Sequence, residues 1–154
     1  MNTTITRPAT LDDLPVLAEF LQMLVNAERP FDLTLQEGDL IYYDLKELIE
    51  RDNSELMVLE TEGKVTGCGY AQIRPAKSYL IYKEYAHFGF MFVLPDYRGQ
   101  GLNQQLIEAL MNWARSKGMT EARLQVYTEN NAAVRAYEKV GFKQILTEMR
   151  YELK

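Results

Sequence analysis

The stretch AHFGFMFVLPDYRGQGLNQQLI, residues 86–107, constrains the fold more than any other part of the chain. Its first half, AHFGFMFVL, is nearly continuous in apolar character and reads as a buried strand. Pro95 and the glycines at 99 and 101 then break the extended chain. From about Gly101 to Lys117 the residues Leu102, Leu106, Leu110 and Trp113 recur on one helical face, and Gly118 stops the helix. A buried strand that turns at once into an amphipathic helix calls for a mixed α/β domain built on a central sheet.

The remaining segments agree with that class. TITRP reads as a short strand, followed by a helix over LDDLPVLAEFLQMLVNAE. Asp12 or Asp13 can cap this helix, with Pro15 in its first turn, where a missing N–H costs least. RPFDLTLQEG is a loop, and DLIYYDLKELIERD a second amphipathic helix. SELMVLETEGKVTGCGYAQIRP reads as two strands turning around Glu62-Gly63, and AKSYLIYKEY as a tyrosine-rich loop. EARLQVY alternates as a strand, NNAAVRAYEKV is a short helix with an asparagine cap, and FKQILTEMRYEL alternates again after Gly141.

Composition narrows the function. At 154 residues the chain is expected to form one domain over 1–154. No run approaches the ~18 apolar residues of a membrane helix, and MNTTITRPATLDDL lacks the pattern of a signal peptide. A cytoplasmic protein without a membrane partner is expected. Cys68 is the sole cysteine, which excludes an internal disulfide, and with a single histidine it argues against a Cys/His zinc site. No metal is expected. The net charge of −5 disfavours broad nucleic-acid binding.

The turn at YRGQGLN has its own chemistry. A helix starting near Gly101 presents N–H groups without intrahelical partners, together with the positive end of its dipole. Gly99 and Gly101 let a phosphate approach the backbone, and Arg98 can add a charged hydrogen bond. On these residues alone, a pyrophosphate cradle and a plain glycine turn with a solvated Arg98 both remain open. The segment lacks the lysine of a phosphate-binding P-loop, and its glycine spacing does not fit a dinucleotide fingerprint.

A second motif, NNAAVRAYEKVGF at 130–142, follows the first after one helix and one strand. Together with V-x-P-x-x-R-G-x-G at 93–101 it resembles the GNAT superfamily of acetyl-CoA-dependent N-acetyltransferases. The likeness extends to the opening ITRPATLDDLPVL and to the element order. It implies a mostly antiparallel central sheet flanked by about four helices. It implies acetyl-CoA as co-substrate, with the pyrophosphate held by Arg98, Gly99, Gln100, Gly101, Leu102 and Asn103. Asn103 departs from the small residue usual there. The resemblance further implies that backbone groups of Met91, Phe92 and Val93 receive the pantetheine arm and polarise the acetyl carbonyl. Asn130 would bond near that arm, and Tyr137 would protonate the departing thiolate.

The base that accepts the amine's proton is less defined. The strand carries no carboxylate, so His87, directly or through water, is the candidate, with Glu84 and Tyr85 as weaker substitutes. Simple alternation puts His87 on the face of Met91 and Val93 unless a bulge shifts the parity. Glu28 and Asp32 could attract an amine, whereas Arg29 and Arg74 could hold a substrate carboxylate. Tyr82 and Tyr85 fall where this family builds its acceptor pocket. Cys68 is expected to be a small buried strand residue. The acceptor is a small-molecule or peptide amine, and the resemblance also allows a homodimer. The rival reading is a non-catalytic acyl-CoA-binding or sensing domain on the same fold.

Overall fold

A computed structural model of the chain describes residues 3–154. Five strands form one sheet in the order β1-β2-β3-β4-β5: β1 Thr4–Pro8, β2 Ser54–Thr61, β3 Lys64–Pro75, β4 Glu84–Val93 and β5 Ala122–Leu124. The first four pair antiparallel, and β5 pairs parallel to β4. Four helices flank the sheet: α1 Leu14–Glu28, α2 Leu45–Glu50, α3 Leu102–Ser116 and α4 Asn131–Val140. Among the described residues no helix is long and apolar enough to cross a membrane.

Two apolar layers hold the sheet. On one face Leu17, Phe20, Leu21 and Val25 of α1, with Leu48 of α2, cover Leu56, Val58, Cys68, Tyr70, Phe90 and Phe92. On the other, Leu102, Leu106, Ile107, Leu110 and Ala114 of α3 cover Leu59, Ala71, Ala86, Phe88 and Val93. Each such large side chain contributes about 1.5–3 kcal/mol of hydrophobic stabilisation when fully buried. The near-continuous apolar character of β4 thus has its reason: both of its faces are packed.

Several local expectations are corrected. Asp13 does not cap α1. Its carboxylate accepts from the Thr10 N–H at 2.8 Å and pairs with Arg7 at 2.8 Å, which ties the first turn to β1. α2 is shorter than its amphipathic pattern, because Asp44 caps it by accepting from the Glu47 N–H at 3.1 Å. Upstream, Gln22 clamps Leu40 through both its amide groups, at 2.7 and 3.1 Å, and keeps residues 39–43 irregular. β5 is only Ala122–Leu124, and residues 142–154, which alternate like a strand, have no strand structure. An extended segment becomes a strand only when a neighbour takes its backbone hydrogen bonds, and no strand among the described residues does so there.

Candidate active site

The site begins with a bulge. In β3–β4 the register runs Ala71↔Phe88 and Tyr70↔Gly89, then resumes at Cys68↔Phe92 and Gly67↔Val93, so Phe90 and Met91 together face Gly69. Phe90 takes a positive φ of 55°, a strained conformation for an aromatic residue. The Cys68 thiol donates to the Phe90 carbonyl at 3.5 Å, and burial pushes the thiol pKa well up. Cys68 is therefore a structural residue of the bulge.

The extra residue reverses the parity of β4. Ala86 and Phe88 pack toward α3, whereas Phe90 and Phe92 pack toward α1. Met91 and Val93 join the α3 side, which leaves His87 on the opposite face, with its ring 6.1 Å from that of Tyr70. His87 thus lies on the face occupied by α1 and α2.

Beyond the bulge β4 and β5 part. They pair only at Ala86↔Ala122, His87↔Arg123 and Phe88↔Leu124. From Gly89 onward the backbone of β4 has no strand on that side among the described residues. Its end is steadied by Arg98, whose Nε donates to the Val93 carbonyl at 2.8 Å and whose guanidinium lies 5.7 Å from the Phe92 ring centre. The Arg98 Nη groups make no protein hydrogen bond among the described residues.

The loop that follows is an open cradle. Gly99 and Gly101 have φ of +79° and +78°, and a Cβ built on either meets nothing within 4 Å. The first main-chain bond of α3 runs from Gln105 N–H to Gly101 O, at 3.1 Å. The N–H groups of residues 99–104 have no protein partner among the described residues. The first turns of α3 are fixed from below, because the Gln105 side chain donates to Thr4 O at 3.1 Å and Thr6 Oγ1 at 3.0 Å. Leu102 is buried and anchors the helix, while Asn103 is half-buried with its amide unbonded in the protein. These N–H groups and the arginine fit an anion such as pyrophosphate.

α4 brings the second motif to the far side of the opening. Asn130 caps it, accepting from the Ala133 N–H at 3.3 Å through Oδ1, so its Nδ2 stays free. Tyr137 packs edge-on against Phe142 with ring centres 6.0 Å apart. Burial, reinforced by the negative charge of Glu28, pushes its phenol pKa up to about 12. It is a neutral phenol at physiological pH.

The end of α1 closes the other side. Glu28 is half-buried, and burial raises its carboxyl pKa. The Tyr42 hydroxyl beside it is buried without a well-formed hydrogen bond, and its pKa is pushed up to about 12 by burial and by Glu28. Asp32 is a hub: its carboxylate accepts from Thr34 N–H at 3.0 Å, from Tyr127 Oη at 3.2 Å and from Arg150 at 3.0 Å. Hydrogen bonds from Thr34 and Arg150 hold its pKa well below the usual carboxylate range. Phe31 stacks on Tyr127 with centres 6.1 Å apart. Arg29 is occupied in holding this loop, donating to Gln36 O at 2.7 Å and also to Gly38 O.

Arg74, Tyr85, His87 and Arg123 form a separate group on neighbouring strands, in the pairs Arg74↔Tyr85, Gln72↔His87 and His87↔Arg123. The Arg123 guanidinium stacks 4.1 Å from the Tyr85 ring centre and bonds Tyr82, whose hydroxyl donates to Glu121 at 2.7 Å. Burial and then Arg74 push the His87 pKa down to about 4. Tyr82 and Tyr85 are thus engaged with Arg123. Arg123 and Tyr127 escaped the sequence reading, although EARLQVY places both on the strand face opposite Ala122, Leu124 and Val126. A further open depression lies between α1 and the segment before α2, lined by Leu21, Gln22, Asp39, Ile41 and Tyr43. No lysine or arginine lines it.

Comparison with known proteins agrees with this fold. The family model described as the Acetyltransferase (GNAT) family matches residues 20–142, and the chain belongs to that family. It is 31% identical over 142 residues to an uncharacterised N-acetyltransferase of Methanocaldococcus jannaschii, covering 90% of this chain, and the chain spans 60% of that relative's length. A solved Bacillus halodurans protein, in mutant form, superposes with a TM-score of 0.87 at 17% identity over 97% of this chain and 99% of its own. An aminoglycoside N-acetyltransferase, AAC(6')-Iy, solved in complex with CoA, gives 0.76 at 21% identity over 100% and 97% of the two chains. At these identities the solved structures speak for the fold.

Proposed function

We propose that this chain transfers an acetyl group from acetyl-CoA to an amine at the opening between β4 and β5. The observation that carries this reading is the conjunction of two unfilled backbone surfaces. One is the unpaired side of β4 beyond Gly89, and the other is the partnerless N–H run at residues 99–104. The loop N–H groups and Arg98 hold the pyrophosphate, with Asn103 as an added donor. The free amide of Asn130 serves the pantetheine arm.

Acetyl-CoA supplies an activated acyl group and a thiolate leaving group. The chain's residues do the rest. Backbone groups of Met91, Phe92 and Val93 orient the acyl carbonyl and favour negative charge on its oxygen, typically the largest contribution in acyl transfer. Tyr137 gives its proton to the leaving sulfur, a role that its high pKa suits. The amine's proton passes directly or through water to one of two groups. His87 is neutral at physiological pH, with its pKa near 4. Glu28 acts on the charge of Tyr137 and so lies on the same side of the opening.

Arg74 beside His87 favours an acceptor amine that carries an anionic group, whereas Arg123 is already paired with Glu121. Asp32, by contrast, is already neutralised by Arg150. The experiment incubates the protein with acetyl-CoA and three amine classes: carboxylate-bearing, uncharged and aminoglycoside. Product mass is the readout. Acetylation led by the first class supports the proposal. CoA binding without any acetylated product would instead support the non-catalytic domain.

A further inference from the structure

The alternation of EARLQVY extends to Tyr127, yet β5 ends at Leu124. The residues beyond are fit for a strand, since Val126 and Tyr127 are of the types that favour extended pairing. The register allows it as well. Continuing Ala86↔Ala122, His87↔Arg123 and Phe88↔Leu124 sets Gln125 opposite Gly89 and Val126 opposite Phe90. Pairing there would give the bare edge of β4 the hydrogen-bond partners that it lacks among the described residues. Some other contact therefore keeps the two segments apart.

The bulge is not sufficient. Along its other edge β4 presents the same bulge to β3, and β3 resumes pairing beyond it at Cys68↔Phe92 and Gly67↔Val93. What differs on the β5 side is where the chain is fastened. At its start β5 is clasped to β4: the Arg123 guanidinium lies 4.1 Å from the Tyr85 ring centre, and the Ala86 N–H donates to Glu121 O at 2.9 Å. By Tyr127 the chain is fastened elsewhere. The Tyr127 ring stacks on Phe31 with centres 6.1 Å apart, and its hydroxyl donates to Asp32 at 3.2 Å, both in the segment after α1. Its carbonyl accepts from the Asn130 N–H at 3.0 Å, which turns the chain toward α4. Asp32 is itself held, by the Thr34 N–H and by Arg150, each at 3.0 Å.

We propose that Tyr127 is a positioning residue: fastened to Phe31 and Asp32, it draws the chain off β4 and keeps the opening unzipped before any ligand arrives. Its bearing on activity rests on the reading of that opening as the CoA site. A pantetheine arm then meets bare backbone groups without first breaking a ladder. Were the ladder free to close, the ligand would reach only the open fraction of the protein, and its apparent Kd would rise by the reciprocal of that fraction. Arg123 and Tyr127 thus act in opposite senses on one short segment, the first holding it to β4 and the second holding it away.

Amide exchange of the CoA-free protein reads this opening without ligand or acetyl transfer. In wild type the β4 amides of Gly89–Met91 that face the opening should exchange fast. Tyr127→Ala frees the chain to zip, so those amides should slow about ten-fold, and calorimetry should find CoA bound about ten-fold more weakly. Tyr127→Phe keeps the stacked ring, loses the bond to Asp32 and should fall between the two. The direction is diagnostic, because loss of a merely structural residue loosens its surroundings and speeds their exchange. Unchanged or faster exchange in Tyr127→Ala would overturn the proposal. So would wild-type exchange in Tyr127→Phe, which carries the test even where the alanine variant fails to fold. Slowed exchange with unaltered CoA affinity would uphold the role of Tyr127 and count instead against the placement of CoA in this opening.

Discussion

Gly101→Ala separates the fold from the ligand in a way few substitutions can. Gly101 sits at φ +78°, where an L-residue costs about 1–2 kcal/mol, and a Cβ there meets no protein atom within 4 Å. The stability loss is therefore conformational alone. Gly118, at the other end of α3, has φ +82° and equally open surroundings. Gly118→Ala should lose the same stability, with a fall in Tm of about 2–8 °C for about 1–2 kcal/mol. The strain is present before ligand arrives, so it cancels from the binding equilibrium. What remains for Gly101→Ala is a methyl group projecting into the phosphate cradle. Displacing one hydrogen bond to a charged group costs about 1.5–3 kcal/mol, or about ten- to a hundred-fold in Kd. Titration calorimetry with CoA on both variants, beside thermal melts, makes the comparison. Equal CoA affinity in the two variants would refute the placement of the pyrophosphate.

Three further outcomes follow from the same structure. Tyr137→Phe keeps the ring packing on Phe142 and removes the proton, so kcat should fall about 100-fold while CoA affinity stays within about three-fold, measured by thiol release and calorimetry. Leu106→Ala, at a fully buried position of the α3 layer, should destabilise by about 2–5 kcal/mol in urea unfolding. His87 has a folded pKa near 4 against an ordinary 6.5, so between those values the unfolded chain binds more protons. Stability therefore falls as pH drops through that window, and His87→Gln should lose less than wild type between about pH 7 and about pH 4.

How much of this was legible in the sequence differs from element to element. The strand–loop–helix at 86–117 was readable because apolar runs, glycines and helical spacing are local signals. So was the hairpin, whose Glu62 and Gly63 both take positive φ, of 50° and 80°. The face on which His87 lies was not readable. It depends on where one residue is inserted between β3 and β4, and nothing in AHFGFMFVL marks Phe90 for that role. Helix α2 was over-read because Leu40 and Ile41 continue its amphipathic pattern, although a clamp from Gln22, distant in sequence, holds the Leu40 backbone. The alternation of FKQILTEMRYEL is a true strand pattern, but a pattern cannot supply the partner. Asp32 shows the same limit: its neighbours Tyr127 and Arg150 are close in space and remote in sequence.

Backbone hydrogen exchange with and without CoA tests the central claim most directly. Slowed exchange should be confined to the N–H groups of residues 99–104 and to the β4 segment Met91–Val93. Protection appearing instead in the depression between α1 and Asp39–Tyr43, with the 99–104 loop unchanged, would contradict the account.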